Sequence, residues 1–166
     1  MLYTLSKIDE IDNVAGSEFE RFVARLFLAM GYDVQLVSSG ADQGADLIVR
    51  KKNPEKPSKI AIQAKRYKQP VGNAAVQELL GGMTYYGCSR GIVVTSSTFT
   101  RSARDLASKD RRIELWDRNK LVDLHKRFLA KTPEFSMQEY TRLKNSIRSV
   151  LLKPKMGRRM PQGRMR

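Results

Sequence analysis

The chain has 166 residues, enough for one domain with a real hydrophobic core, and its 31 Lys and Arg against 17 Asp and Glu leave a formal charge of +14. Such self-repulsion calls for a polyanionic partner, and nucleic acid is the first candidate because neutralised phosphates release condensed counterions; an anionic membrane surface is a weaker one. One cysteine, Cys88, and one histidine, His125, exclude an internal disulfide, a cysteine zinc cluster and the paired-histidine nucleases, and they fit a reducing, cytoplasmic setting.

The opening "MLYTLSKIDEID" is acidic and lacks the apolar run of a signal peptide. Residues 17–30 read as a helix: Phe19, Phe22, Val23, Leu26, Phe27 and Met30 share one face at helical spacing. Ser17 is the expected N-cap, Glu20 the acid of a capping box, and Gly31 the stop. Its "FVARLFLAM" is too short to span a bilayer and contains Arg25, so no membrane association is expected. "YDVQLVSS" is then a strand, "GADQGAD" a glycine-rich turn and "LIVR" a second strand. "KKNPEKPSK" is a polar hairpin loop into "IAIQAKRY", residues 60–67, where Ile60, Ile62 and Ala64 alternate with Ala61, Gln63 and Lys65.

A second helix runs from about Asn73 to Tyr86. "GIVVTSS" is a buried, β-branched strand, "TFTRSARDLASKD" a capped helix, "RIELW" a last strand and "DRNKLVDLHKRFL" an amphipathic helix. Thr95, Ser96, Thr98 and Thr100 suit a strand end and a helix cap, since no base is placed to activate them as nucleophiles. His125 and Trp116 suit packing. Strands alternating with helices imply an α/β domain over 1–131, its sheet covered on both faces. A C-terminal helix is expected over 132–152, and residues 153–166, with six basic residues and no acid, read as a flexible basic arm.

The chemistry concentrates on three residues. Asp46 ends the glycine turn, and Gln63 and Lys65 sit on the next strand, so pairing of the two strands brings them together at one end of the sheet. A carboxylate, an amide oxygen and the Ala64 carbonyl are hard ligands suited to Mg²⁺. A metal there acidifies a bound water and offsets phosphodiester charge, while Lys65 steadies the attacking water or the developing negative charge. Arg66, Tyr67 and Lys68 follow directly and are candidate DNA contacts. Asp42 is a candidate outer acid or an ordinary turn residue.

Taken in order, "GSEFERFVARLFLAMGYDV", "GADQGADLIV", "IAIQAKRYKQPVG", "GIVVTSSTFTRSARDLA" and "IELWDRNKLVDL" resemble the Mrr-like branch of the restriction endonuclease-like (PD-(D/E)xK) nucleases over roughly residues 16–130. The resemblance implies a restriction endonuclease-like core, a central mixed sheet flanked by helices. It implies Asp46 and Gln63 as metal-site residues, Lys65 as the catalytic lysine and a helix-one glutamate as a further acidic ligand. The family's Phe-Glu pair falls on Phe19-Glu20, which favours Glu20 over Glu18. Two departures from the wider superfamily stand out: Ala45 where proline is common before the aspartate, and Gln63 where an acid is usual. The glutamine is characteristic of this branch and predicts weaker metal binding than a three-acid site.

The resulting expectation is a Mg²⁺-dependent DNA endonuclease of restriction and defence type, with Mn²⁺ as a substitute. Cutting both strands of a duplex is simplest for a homodimer. No separate DNA-reading domain is expected ahead of the core. A junction resolvase-like repair or recombination nuclease, and a non-catalytic nucleic-acid binder on the same fold, are the alternatives.

Overall fold

The structure, a computed structural model, describes residues 8–37, 43–51, 55 and 58–130. A short 3₁₀ turn, Ile8–Asn13, leads into helix α1, Gly16–Ala29. Strands β1 (Tyr32–Leu36), β2 (Leu47–Lys51) and β3 (Lys59–Lys65) follow, then helix α2 (Asn73–Tyr86) and strand β4 (Arg90–Thr95). Helix α3 (Arg101–Ser108), strand β5 (Ile113–Trp116) and helix α4 (Arg118–Leu124) complete the order, and α4 runs on into a π-helical turn, His125–Leu129.

The five strands lie side by side in chain order. β1–β2 and β2–β3 are antiparallel hairpin neighbours, with Leu47 opposite Ile62. β3–β4 and β4–β5 are parallel, with Lys65 opposite Thr95. Parallel neighbours need crossovers, and α2 and α3 supply them. The sheet is therefore mixed and covered on both faces, as expected. α1, α4 and the π turn pack on one face against Leu47, Val49, Ile60, Ile62, Ile92 and Val94. α2 and α3 pack on the other against Ile48, Ala61, Val93 and Ile113.

Local signals explain most boundaries. α1 buries Phe19, Phe22, Val23, Leu26 and Phe27, its apolar stripe, and Gly31 at φ 87° turns the chain out of it. α2 is bracketed by Gly72 at its N-cap and by Gly87, left-handed at φ 64°. The hydroxyl of Thr100 accepts from the Ala103 N–H and caps α3, so this threonine serves structure as expected.

Two local expectations are corrected. Helix α1 begins with Ala15, not Ser17, at the N-cap, and the carboxylate that reaches back is Glu18, which accepts from the Ala15 N–H at 3.1 Å. Glu20 is not the capping acid. The last amphipathic helix is not uniform: its second half widens into the π turn. The expected C-terminal helix and basic arm, together with Asp42 and parts of the glycine turn and the hairpin loop, lie outside the described residues. Among the described residues no helix is long and apolar enough to cross a membrane.

Candidate active site

Asp46 is held at the head of β2. Its N–H donates to the Ile62 carbonyl at 2.8 Å, and its own carbonyl accepts from Val37 N–H at 2.8 Å, so backbone bonds on both sides fix it to the sheet. Just before it, Gly44 has φ 86° and passes against the backbone of α2. A Cβ there would lie 1.9 Å from the Glu78 carbonyl oxygen. Only glycine fits both the conformation and the contact. Gly82, one turn further along α2, meets the same segment: a Cβ on it would stand 2.5 Å from the Gly44 oxygen.

The Asp46 carboxylate then reaches across to β3. Oδ2 accepts the Ala64 N–H at 2.7 Å, a charge-assisted bond to the residue between Gln63 and Lys65. Asp46 is close enough to Lys65 to act on its charge. Asp46 and the Gln63–Lys65 segment therefore come together at one end of the sheet.

Gln63 shares its face of β3 with Ala61 and Lys65, the face that α2 covers. It is only 2 % exposed, and its Oε1 has no hydrogen-bond partner among the described residues. A buried, unsatisfied amide oxygen costs about 1–3 kcal/mol unless something fills the role of donor or cation. Among the described residues no three His, Cys, Asp or Glu side chains gather in metal-binding array. The donor set on offer is therefore one carboxylate and one orphaned amide oxygen at the same sheet end. That fits a hard divalent ion which keeps its other positions for water or phosphate.

Lys65 carries a partner that the sequence did not suggest. Its Nζ donates to Glu78 Oε2, on α2, at 2.7 Å. Partial burial alone would lower the lysine's pKa. The Glu78 hydrogen bond and charge, helped by Tyr67 and Asp46, outweigh that, and the net shift is upward. The side chain is an ammonium at neutral pH, suited to stabilising negative charge rather than to accepting a proton. Glu78 precedes buried Leu79 in an amphipathic helix, where a glutamate reads as a solvent residue. The available signal was a lysine on a helix-covered strand face, which needs an acceptor.

The basic extension after β3 is stitched to the end of β4. Ser96 Oγ donates to the Tyr67 carbonyl at 3.1 Å, Ser97 Oγ to the Lys68 carbonyl at 3.2 Å, and Val71 N–H to the Thr98 carbonyl at 2.8 Å. Tyr67, 50 % exposed, and Lys68 face outward beside the site. Arg66 is half-buried, and Nη1 donates to the Asp12 carbonyl at 3.3 Å. Arg118 completes this corner, bonding Asp12 Oδ1 at 2.8 Å and the Ser96 carbonyl at 3.1 Å. Glu20 stands half-buried on α1, the helix covering the opposite face from Gln63 and Lys65.

A mixed sheet of this order, with an aspartate entering β2 and a Q-x-K ending β3, defines a nuclease-type core of the restriction endonuclease kind. Comparison with known proteins agrees. The Mrr catalytic-domain family model, described as restriction endonuclease, matches residues 11–125. The chain belongs to that restriction endonuclease family. It is 32 % identical over 124 residues to the type IV methyl-directed restriction enzyme EcoKMrr of Escherichia coli (strain K12), a match spanning 70 % of this chain and 40 % of that protein. Among solved structures it resembles the DNA modification-dependent restriction endonuclease AspBHI, with a TM-score of 0.63 and 22 % identity over 86 % of this chain and 39 % of the other. It also resembles the MspJI restriction endonuclease, solved in complex with a 27-mer oligonucleotide. There the TM-score is 0.59 and the identity 19 %, over 76 % of this chain and 32 % of that one. The structural likenesses speak for the fold, and the chain spans about two fifths or less of each of these relatives.

Proposed function

We propose that this chain is a metal-dependent DNA endonuclease of restriction and defence type. The observation that carries the reading is the junction of β2 and β3. Asp46 is bonded to the N–H between Gln63 and Lys65, and the Gln63 oxygen, on the same stretch of β3, is buried with no hydrogen-bond partner among the described residues.

Asp46, the Gln63 Oε1 and the Ala64 carbonyl would hold a divalent ion, Mg²⁺ with Mn²⁺ as a substitute; the family resemblance would add Glu20, which, standing on the helix of the opposite face, would act round the sheet end, directly or through water. Such an ion supplies neutralising charge and an acidified water for attack on phosphorus. Lys65 places its ammonium where negative charge grows on the phosphoryl oxygens, a contribution confined to the transition state. Tyr67 and Lys68 face the backbone of bound DNA, Lys68 as a point charge and Tyr67 by packing on sugar or base. Arg66, already bonded to Asp12, shapes that loop and adds to its positive field. Two copies of the chain, one for each strand, account for duplex cutting, and the reducing cytoplasm is the natural compartment for a DNA-directed enzyme with one buried thiol.

Nicking and linearisation of supercoiled plasmid with Mg²⁺ or Mn²⁺, in the wild type and in Lys65→Ala, tests the reading. Methylated and unmethylated plasmid are compared because the Escherichia coli relative is described as methyl-directed. Flapped and four-way DNA separate a restriction enzyme from a branched-DNA nuclease. Metal-dependent cutting lost in Lys65→Ala supports the proposal. DNA binding with no metal-dependent cutting in either protein would overturn it in favour of a non-catalytic binder.

A further inference from the structure

We propose that Glu78, on α2, is a positioning residue for Lys65 and supplies the negative charge that Gln63 does not. This rests on the endonuclease reading for its consequence in catalysis, while the contact itself stands on geometry.

An ammonium has three donors and rotates freely about its last bond. With one N–H spent on Glu78 Oε2 at 2.7 Å, the other two are confined to a cone, away from α2. Long lysine stems otherwise sample many rotamers, so the pair lowers the entropy lost when the ammonium meets a phosphoryl oxygen. Charge balance points the same way. An acid on β3 beside Lys65 would offset the lysine's charge. Here that position is the neutral Gln63, and the compensating carboxylate comes from a different element.

The geometry of α2 makes Glu78 dependable in this role. The carbonyl of the same residue packs against Gly44, two residues before Asp46, and Gly82 backs the same contact. One turn of helix therefore sets the height of the Asp46 strand end and the direction of the Lys65 ammonium together. The Glu78 side chain is 46 % exposed and that of Lys65 is 19 % exposed. The pair is thus partly screened in the free protein, and DNA lying over it would exclude water and strengthen it.

The test uses the full chain and the variants Glu78→Gln and Glu78→Asp. Single-turnover cleavage with Mg²⁺ should slow by about 10- to 100-fold in Glu78→Gln, the span expected when a bonded supporting partner is lost. Duplex affinity measured without catalytic metal should not fall, since a negative charge is removed, and Glu78→Asp should recover part of the rate. A second readout needs no activity. Lys65 is labelled with formaldehyde and cyanoborohydride and followed by peptide mass spectrometry, with Lys59, bonded to the Tyr86 carbonyl, as internal control. Labelling of Lys65 should accelerate in Glu78→Gln, return towards wild type in Glu78→Asp, and leave Lys59 unmoved. Wild-type cleavage rates in Glu78→Gln, or equal Lys65 labelling in all three proteins, would overturn the inference. A wild type that cuts no DNA would overturn the endonuclease reading, and the labelling would still decide whether Glu78 holds Lys65.

Discussion

The two faces of the sheet are built from different materials. The α1 face is filled with large rings. Phe19, Phe22, Phe27 and Trp116 are all buried there, and Phe27 stacks on Trp116 at 5.2 Å with planes 7° apart and meets Tyr32 edge-on at 5.4 Å. The α2 face is lined with small residues: Ala45, Ala61, Ala75, Ala103 and Ala107 are buried there, and Gly82 and Gly91 press against neighbours. Rings bury much apolar area and carry stability. Small residues bring backbones close, so that a helix side chain can reach a strand side chain at hydrogen-bonding distance. The face that contributes less to cohesion is the one that holds Gln63, Lys65 and Glu78 in register.

That division can be broken from either side. Phe27→Ala should have the largest effect, lowering stability by about 3–5 kcal/mol through the cavity left between α1 and Trp116. Denaturant unfolding measures it, and the protein that remains folded should keep its cleavage rate. Lys65→Ala should do the reverse, leaving the unfolding midpoint nearly in place and lowering single-turnover cleavage about 10²–10³-fold. Gly82→Ala sits between the two. Its Cβ would lie 2.5 Å from the Gly44 oxygen, so α2 must shift, at a cost of roughly 1–3 kcal/mol. Cleavage should fall as well, because the shift passes to Asp46 and to Glu78; unfolding and cleavage measured together decide.

The smallest effect sharpens the comparison through pH. His125 stacks on Phe22 at 6.1 Å, and burial, with the nearby Arg25 charge, holds its pKa below the ordinary 6.5. The unfolded chain therefore takes up the proton first as pH falls. Stability linked to His125 is fully present above about 6.5 and is lost as pH drops through the lowered folded value. Thermal midpoints measured from pH 7.5 to 5 should fall less steeply in His125→Gln than in the wild type.

Sequence pattern made much of this legible, for reasons that differ by element. α2 has the expected ends because glycines bracket it. β2 and β3 pair as expected because a polar hairpin loop joins two apolar runs, and that pairing alone brings Asp46 to Gln63 and Lys65. The start of α1 was misread because Ser17 is a good capping residue, yet the backbone N–H of Ala15 found its acceptor in Glu18. The π turn after α4 leaves no mark in apolar spacing. Glu78 was missed because its partner lies on another element, the preceding strand, and periodicity within one helix cannot name a contact with a strand. The close approach of Gly44 to Gly82 is hidden for the same reason.

The parallel pairing of β3 with β4 has a further consequence for how such an enzyme comes into being. Lys65 lies opposite Thr95, and its ion partner lies in the crossover between them, so this side of the site is closed by a parallel pairing, whereas Asp46 meets Ala64 within the β2–β3 hairpin. Parallel pairing through a crossover is slower to form than a hairpin, because more chain must be closed before any contact rewards it. A nascent chain emerging from the ribosome could bring Asp46 to the Gln63–Lys65 segment in that hairpin before α2 and β4 were there to fix the lysine. On the endonuclease reading proposed above, cutting would then wait for the completed sheet rather than for the hairpin that carries Asp46, Gln63 and Lys65.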